Sequence, residues 1–419
     1  MAGIDVISNT TGQEMTSALN QILETSKELT TASKLIAAAQ SVQARENLKS
    51  ATWTELARFA NDGLITSVLD YGDMVNDTWA DKSVDPTVEY SNPFQLAHIE
   101  DVELADGEIL KNRPFFQTHY AQAYGVQFSN YRAFYAATDG LAAGTYYIEF
   151  AQTWSKLTET KWTFTLTKDV PAGGRLMGFK DAADYARTSQ TVYVYGKDGI
   201  TVLETVTATV GSDGTALGIC PYSARGTGDN AKCNSMQESF YGCDRWKTSA
   251  VRQYLNSEAG KGAWWAPQDE WDIAPEQLAS IPGWLSGCSE EFIASLKTIK
   301  VTTYTNTVTF DGSADITYDR VILPSLQQRF INAQIAGEGV VFEYWKRRLG
   351  RTSSQGWGTS GALAEAKTYS IKNHSESVLE RLRSATRGYA CNVWNVYSTG
   401  YAANNYARYA YRFAPFVVI

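Results

Sequence analysis

The C-terminal tail of the chain begins Arg381-Leu-Arg-Ser-Ala-Thr-Arg-Gly-Tyr-Ala390 and closes on Phe416-Val-Val-Ile419. From Tyr389 to Tyr411 the tail contains six tyrosines (389, 397, 401, 406, 409 and 411) and four asparagines (392, 395, 404 and 405). After Glu380 there is no Asp, Glu or Lys, although charged residues make up 20% of the chain. Tyrosine offers a large amphipathic contact area at low entropic cost, and asparagine and serine supply adaptable hydrogen bonds. The tail is therefore typical of a binding surface, and a tyrosine-rich strand pair in an ordinary core is the alternative.

The bulk composition indicates a folded protein of several domains. With 419 residues, 44% of them hydrophobic, we expect two or three domains with sizeable cores. No run of 18 apolar residues occurs, which predicts no transmembrane helix and no membrane insertion. The first residues lack both the basic start and the apolar block of a signal peptide, so we expect synthesis in a cytoplasm.

Charge and reactive side chains argue against several function classes. A net charge of −8 disfavours nucleic-acid binding, which needs a basic face for phosphates. The five cysteines (220, 233, 243, 288 and 391) form no CxxC and are interpreted as reduced thiols. The three histidines (98, 119 and 374) lie near no Cys or acidic motif. We therefore predict no catalytic residue, no metal ligand and no cofactor, and hence no enzyme.

Residues 13–46 contain neither Pro nor Gly and are predicted to form one long helix. Apolar residues recur every seventh position at Met15, Ile22, Leu29 and Ile36, each followed three residues later by Ala or Thr. This pattern resembles the a/d seam of a coiled coil. Residues 1–50 are thus either a helix for oligomerisation or docking, with a trimer as one form of homo-oligomer, or an amphipathic helix packed on its own domain.

Residues 51–200 are predicted to form a β-rich module. The segments 144–150, 161–167 and 191–195 are β-branched and aromatic, and turn signals such as Pro171-Ala-Gly-Gly174 and Lys197-Asp-Gly199 separate them. Short strands at such spacing favour a β-sandwich or a jelly-roll-like module.

Residues 201–419 form the tryptophan-rich part, with eight of the 12 Trp of the chain. We predict a capped helix over 248–256, a second helix near 289–296, and strands at 298–309 and 321–323. Residues 350–360 are rich in Gly and Ser and predict a surface loop. Taken with the strand-rich middle, the expected fold class is α+β.

Several motifs of this part resemble a known family. They are Asp244-Arg-Trp-Lys-Thr-Ser-Ala-Val-Arg-Gln-Tyr-Leu-Asn256, Gly287-Cys-Ser-Glu-Glu-Phe292, Tyr318-Asp-Arg-Val-Ile-Leu-Pro-Ser325, Leu382-Arg-Ser-Ala385 and Tyr411-Arg-Phe-Ala-Pro-Phe416. In this order and spacing they resemble the C-type-lectin-fold domain of target (variable) proteins of diversity-generating retroelements, particularly those of bacteriophages. The resemblance covers about residues 205–419. Residues 1–200 are more loosely similar to virion-attached stalk or scaffold modules.

The resemblance implies a diversified ligand-binding face in the last strands and loops of the lectin fold. In that family a reverse transcriptase alters template adenines, so that Asn codons become codons for Tyr, Ser, Thr, Asp and other residues. By position the candidate variable, ligand-facing residues are Tyr389, Asn392, Trp394, Asn395, Tyr397, Ser398, Tyr401, Asn404, Asn405, Tyr406, Arg408, Tyr409 and Tyr411. The expected fixed scaffold comprises Val393, Val396, Ala407, Phe413 and Val417. Trp394 cannot arise from an Asn codon by adenine changes alone, which makes a fixed core role its alternative.

Two properties of related proteins are not expected in this tail. Calcium-dependent sugar binding uses clustered carboxylates, which a segment without Asp or Glu does not supply. The fold is also shared with formylglycine-generating oxidase-like enzymes, but these use a cysteine pair or a His/carboxylate cluster, and Cys391 stands alone in the tail.

The resemblance therefore implies a phage virion protein that attaches to a host through a cell-surface protein or glycan and contacts other virion proteins. The alternative is a purely structural virion protein, such as a head decoration or a tail-fibre component, whose C-terminal face binds a neighbouring subunit.

Overall fold

The computed structural model describes residues 51–131, 142–150, 161–166, 169, 190–208, 241–268, 272–307, 310–330, 335–349 and 363–419. In these ranges the chain mixes many short strands with few short helices, which confirms the α+β class. The long helix predicted over 13–46, the turn predicted at 171–174 and the loop predicted at 350–360 lie outside the described residues.

The helices are short, and side chains cap most of their N-termini. In chain order they are α1 (Trp53–Asn61), α2 (Ile65–Val68), α3 (Ala250–Leu255), α4 (Glu290–Ser295), α5 (Leu326–Arg329) and α6 (Glu343–Leu349), with 3-10 turns at Trp246–Thr248, Trp284–Gly287 and Ala364–Ala366. Ser249 and Ser289 cap α3 and α4 by accepting a hydrogen bond from the third residue of each helix. Both helices were predicted from the sequence and are confirmed. None of the described helices has the length and apolar character needed to cross a membrane.

The strands make up most of the regular structure. In the first half of the chain they are β1 (Met74–Val75), β2 (Thr78–Ala80), β3 (Glu89–Ser91), β4 (Phe94–Glu103), β5 (Ile109–Thr118), β6 (Val126–Gln127), β7 (Asn130–Tyr131), β8 (Gly144–Phe150), β9 (Lys161–Leu166), β10 (Gln190–Tyr195) and β11 (Val202–Ala208). In the second half they are β12 (Asp272–Ile273), β13 (Ile299–Tyr304), β14 (Ala314–Asp319), β15 (Val321–Ile322), β16 (Thr368–Tyr369), β17 (Ser377–Val378), β18 (Glu380–Ala385), β19 (Asn392–Val396), β20 (Ala402–Tyr406), β21 (Ala410–Tyr411) and β22 (Phe416–Val418).

A five-stranded antiparallel sheet in the order β1-β4-β5-β22-β15 organises the molecule. The last strand, β22, lies between β5 and β15, with Val417 opposite both Phe116 and Val321. The C-terminal strand is therefore an inner strand of the main sheet, and all its residues are buried.

The main core packs aromatic side chains from both halves of the chain against this sheet. Trp53 of α1 contacts Phe94, Phe116 and Phe292 edge-on, with ring centroids 4.8–5.6 Å apart. In this core the buried indole N–H of Trp284 donates to the Gln122 side chain at 2.7 Å. Tryptophan burial thus costs no unpaired donor at this position.

This packing differs from the predicted division into residues 51–200 and 201–419. Residues 51–131 share one sheet and one hydrophobic core with the C-terminal half. The alternation of a strand shows which of its faces is buried but not which distant strand it pairs with, so the β5–β22 pairing could not be read locally.

The strands predicted at 144–150, 161–167 and 191–195 are confirmed, and together with β11 they form a separate sheet, β11-β10-β8-β9. The predicted turn at 197–199 joins β10 to β11, where Gly199 N donates to Gly196 O at 2.9 Å. The described residues of this segment form one antiparallel sheet, and the sandwich or jelly-roll form of the module stays a prediction.

Candidate functional site

The tyrosine-rich tail forms a three-stranded antiparallel sheet, β18-β19-β20. The β19–β20 hairpin turns at Gly400, which has φ +93°, and a Cβ atom there would lie 1.8 Å from the Leu363 carbonyl oxygen. Only glycine fits this turn. After β20 the chain turns again, and β21 pairs with β6, which ties the end of the tail to the first half of the molecule.

The apolar residues expected to form the scaffold of the tail are fully buried. Each is 0% exposed: Val393, Val396, Ala407, Phe413 and Val417. Val396 packs in a second, smaller core with Leu382 and Trp394, whereas the other four belong to the main core. The tail sheet thus packs on two cores.

The thirteen candidate ligand-facing residues divide by exposure. Tyr389 is 45% exposed and Tyr409 is 37% exposed. Eight more are partly exposed: Tyr397, Ser398, Tyr401, Asn404, Asn405, Tyr406, Arg408 and Tyr411. The remaining three, Asn392, Trp394 and Asn395, are buried.

Burial of Trp394 and Asn395 does not match the expected ligand-facing role. Trp394 packs in the second core, and Asn395 is 0% exposed, opposite Arg381 in the register of the sheet. The reason is that β19 is the middle strand and is buried along its whole length, so its alternation does not mark a solvent side. Asn392 is buried too, but its amide donates a hydrogen bond to Asn404 Oδ1 at 2.8 Å. This bond orients the side chain of Asn404, which is partly exposed.

Three aromatic rings of the tail and one from upstream form a contiguous group, here called the tyrosine cluster, of Tyr241, Tyr406, Tyr409 and Tyr411. Tyr406 stacks on Tyr241 at 3.8 Å and meets Tyr409 edge-on at 5.5 Å, and Tyr409 meets Tyr411 at 5.9 Å. The Arg408 guanidinium lies 5.8 Å from the ring centres of both Tyr241 and Tyr409. The cluster thus joins a buried ring to an exposed one beside a cation.

Tyr241 was not among the sequence candidates. It lies upstream of the tail, is only 6% exposed, and its carbonyl accepts a hydrogen bond from Arg408 N at 2.7 Å. Burial raises its pKa, with Tyr406 adding to the effect. A single tyrosine far from the tail carries no sequence signal for this contact.

A second stacked pair continues the surface. The rings of Tyr397 and Tyr401, on the two sides of the turn that joins β19 to β20, lie 4.8 Å apart and nearly parallel. Burial raises the pKa of Tyr411, Arg381 opposes this shift, and Tyr397 and Tyr409 add to it. The raised pKa keeps the phenols of Tyr241 and Tyr411 neutral at physiological pH, so these two are not poised for proton transfer.

Arg381 braces the tail from within. Its side chain is 0% exposed and donates to the main-chain oxygens of four residues: Val393, Asn405, Tyr406 and Tyr409, at 2.9–3.2 Å. Its guanidinium also lies 4.6 Å from the ring centre of Tyr411. Burial lowers the pKa of Arg381 to about 9, so the group stays charged at neutral pH. One buried cation therefore fixes β19, β20 and the turn that carries Tyr409.

Two further buried arginines have side-chain partners as well as main-chain ones. Arg329 pairs with Glu380 at 3.2 Å, both 0% exposed, and stacks on Trp345. Arg383 donates to Leu323 O at 2.8 Å, to the Gln328 side chain and to the main-chain oxygen of Glu338. Sequence reasoning did not identify these arginines, because buried and exposed arginines look alike in a sequence.

A polar cleft of about 220 Å³ lies beside the cluster. Arg408, Tyr409 and Ala410 form one wall, and the other wall comes from upstream residues: Gln127, Asn130, Glu276 and Gln277. Gln127 and Gln277 hold each other's segments, since Gln277 Oε1 accepts from Gln127 N at 3.1 Å and Gln127 Oε1 accepts from Glu276 N at 2.9 Å. The surface around the tail is thus rich in amide groups and aromatic rings. Across the described ranges, no group of three or more His, Cys, Asp or Glu side chains is arranged to hold a metal ion.

Among protein families, a model described as a domain of unknown function (DUF6273) matches residues 228–417, less than half of the chain. The match contains the tail up to residue 417, together with Tyr241, Arg329, Arg381 and Arg383, whereas β4, β5 and β6 lie outside it. No curated protein and no solved structure matches the chain. The segment that carries the candidate surface is therefore similar to a recurring domain whose description names no activity and no ligand.

Proposed function

We propose that this chain is a non-enzymatic bacteriophage virion protein that displays a diversified receptor-binding face on a C-terminal C-type lectin fold. The proposal starts from the order of the motifs between residues 244 and 416, which resembles target proteins of diversity-generating retroelements. It is supported by the row of partly exposed Tyr and Asn side chains along β20 and its turns.

The observation that carries the proposal is the way in which Arg381 braces the tail. All four of its acceptors are main-chain oxygens, three of them on the candidate variable residues Asn405, Tyr406 and Tyr409. A hydrogen bond to a main-chain oxygen does not depend on the side chain at that position. Side chains at 405, 406 and 409 can therefore change while the backbone that presents them keeps its position, which a diversified face requires.

Binding would combine aromatic anchors with adaptable polar groups. Tyr409, Tyr406 and Tyr401 supply rings, and Arg408 supplies a cation, which are the residue types most often dominant in interfaces. The ligand is a host cell-surface protein or glycan. Many copies on one particle would raise a weak affinity by avidity, by about 10²- to 10⁴-fold.

Burial narrows the set of positions expected to vary. Asn395 and Trp394 lie inside the tail sheet, so substitution there would disturb packing rather than change a ligand contact. Diversification is therefore expected at partly exposed positions between 389 and 411 and not at these two. The neighbouring DNA is expected to hold a near-copy of the last coding stretch that differs at adenines, beside a reverse transcriptase gene.

The decisive experiment is the triple substitution Tyr401→Ala, Tyr406→Ala and Tyr409→Ala, tested for attachment of virions to host cells. Tyr318→Ala is the matched control, because Tyr318 is 40% exposed on β14 and Tyr409 is 37% exposed. We expect the triple variant to lose attachment while its far-UV circular dichroism and melting temperature stay near those of the control. Unchanged attachment by a folded triple variant, with a tail fixed among close relatives, would instead favour a structural virion component whose tail face binds a neighbouring subunit.

A further inference from the structure

The cleft of about 220 Å³ beside the tyrosine cluster has one wall that a varying tail would leave unchanged. The residues of this wall lie outside positions 389–411 and are here called the amide wall: Gln127, Asn130, Glu276 and Gln277. The opposite wall comes from the tail and consists of Arg408, Tyr409 and Ala410. A ligand in this cleft therefore contacts fixed side chains and variable side chains at the same time.

Each amide side chain of the wall uses one end to hold the protein together. Gln277 Oε1 accepts from Gln127 N at 3.1 Å, and Gln127 Oε1 accepts from Glu276 N at 2.9 Å. Asn130 Nδ2 donates to Ala274 O at 3.0 Å. Because an amide oxygen only accepts and an amide nitrogen only donates, these bonds fix which end of each side chain is left over.

The other end of each amide is accessible to a ligand. Within the described ranges, Gln127 Nε2, Gln277 Nε2 and Asn130 Oδ1 make no hydrogen bond to the protein, and none of these atoms is enclosed by it. The wall thus offers amide N–H donors and an amide acceptor in one cleft. A hydroxyl group both donates and accepts hydrogen bonds, so a ligand with several hydroxyls can satisfy both kinds of group.

The charge and the size of the lining narrow the class of ligand. Arg408 contributes one positive charge and Glu276 one negative charge, so the formal charges of the lining cancel and a neutral ligand is favoured. Among the described residues that line the cleft, no aliphatic side chain is larger than that of Ala410, which leaves no recess for an apolar peptide side chain. The volume lies below the range of about 300–1,000 Å³ that is typical of drug-sized ligands, so the cleft suits a single small ring.

Tyr409 supplies an apolar contact at the edge of the cleft. Its side chain is 37% exposed, and it is the aromatic residue of the lining. The face of an aromatic ring is electron-rich and attracts weakly positive C–H groups. A pyranose carries C–H groups on one face and hydroxyl groups around its edge. An aromatic face next to amide groups therefore matches both parts of a sugar ring.

Building on the proposed receptor-binding role of the tail, we propose that this cleft binds one neutral pyranose residue of a host-surface glycan without a metal ion. Hydroxyl groups of the sugar bond to Gln127, Asn130 and Gln277, and its C–H face packs on Tyr409. The fixed wall then selects a sugar, and the exposed tail residues select what is attached to it. Variation at position 409 would change the affinity for the sugar without changing the class of ligand.

The first test is saturation-transfer difference NMR of the full chain with the methyl glycosides of glucose, galactose, mannose and N-acetylglucosamine. Each is added at about 10 mM in the presence of EDTA, and sorbitol, an acyclic polyol, is the control ligand. We expect at least one glycoside to bind with a Kd of about 10 mM or tighter and sorbitol to bind at least about tenfold more weakly. Binding of no glycoside, binding that needs added calcium, or equal binding of sorbitol overturns the proposal.

Gln277→Ala and Gln253→Ala form a matched pair of variants. Each removes a half-buried amide whose Oε1 accepts from a main-chain N–H, that of Gln127 at 3.1 Å and that of Ala266 at 2.9 Å, but Gln253 lies outside the cleft. We expect both variants to lower the melting temperature to a similar extent, and only Gln277→Ala to weaken glycoside binding, by at least about tenfold. Equal glycoside affinity of wild type and folded Gln277→Ala would show that the amide wall does not hold the sugar.

Virion attachment tests the glycan on the host side. Periodate cleaves the vicinal diols of sugars, so host cells treated with periodate are expected to lose attachment. Unchanged attachment to such cells overturns the glycan ligand and leaves the receptor-binding role of the tail standing, with a protein as the receptor. If instead the triple tyrosine variant attaches as wild type does, the receptor-binding role fails, whereas glycoside binding by the purified chain still decides the sugar site.

Discussion

Arg381→Met tests the bracing of the tail most directly. Methionine fills similar space but provides none of the four hydrogen bonds to the oxygens of Val393, Asn405, Tyr406 and Tyr409. Bonds from a charged donor contribute about 1.5–3 kcal/mol each, or about 6–12 kcal/mol for four. Desolvation offsets part of this, since the fall in pKa from 12.5 to about 9 corresponds to about 5 kcal/mol. We therefore expect Arg381→Met to lower the free energy of unfolding by about 3 kcal/mol.

The assay is urea unfolding followed by tryptophan fluorescence, with hydrogen exchange of residues 401–411 as a local readout. Arg387→Met is the control, because Arg387 lies just after the same strand, is exposed, and makes one long hydrogen bond of 3.3 Å to Gly312 O. We expect the control to change stability by less than about 0.5 kcal/mol and to leave exchange in the tail unchanged. Arg381→Lys keeps the charge but places its donors on one nitrogen, so it should recover little. If Arg381→Met equals Arg387→Met in both readouts, Arg381 does not brace the tail.

Single contacts give three further predictions. Gly400→Ala should lower the free energy of unfolding by about 2–4 kcal/mol, because φ is +93° and the new Cβ would overlap Leu363 O. Gly388→Ala is the control: open space surrounds its Cβ, so it should lower the free energy of unfolding by less than about 0.5 kcal/mol. Equal melting temperatures of the two variants would contradict the tight turn at Gly400. Asn395→Leu should be neutral or stabilise the fold by about 1 kcal/mol, because neither polar atom of this buried amide has a hydrogen-bond partner within the described ranges. The same variant should attach to host cells as wild type does. Lost attachment in a folded variant would show that Asn395 belongs to the ligand face. Burial raises the pKa of Glu100 to about 6 from its ordinary 4.5, so its contribution to stability is full below about pH 4.5 and is lost as the pH rises through 6. Because the side chain is one-third exposed, we discount the shift and expect Glu100→Gln to raise the free energy of unfolding by about 1 kcal/mol at pH 8 and by almost nothing at pH 4.5. An equal effect at both pH values would contradict the shift.

The local elements of this chain could be predicted from its sequence. Ser249 and Ser289 precede short amphipathic segments, and both cap helices as expected. The β-branched segments at 144–150 and 191–195 form strands, and Lys197-Asp-Gly199 forms the turn after the second. These signals come from neighbouring residues, which is why a sequence carries them.

The long-range pairings could not be predicted. β22 pairs with β5 across most of the chain, and nothing in the alternation of either strand names its partner. The same limit applied to the candidate site. Tyr241 joins the cluster through space, and the Asn-Val-Trp-Asn-Val pattern of β19 suggested an exposed side although the strand is buried throughout. Composition identified the tail as unusual, but only packing separated its rim from its interior.

The contrast between the buried Arg329 and Arg381 explains how the tail sheet can keep its backbone in place while its exposed side chains are substituted. Arg329 depends on the carboxylate of Glu380, so substitution of either residue would leave a buried charge without its partner. Arg381 follows Glu380 in β18 and donates to main-chain oxygens of the strand and the turn that carry the exposed tyrosines. The Arg329–Glu380 pair therefore depends on which side chain stands at the partner position, whereas the bonds of Arg381 do not. A surface that must accept many side chains on one backbone needs the second kind of support.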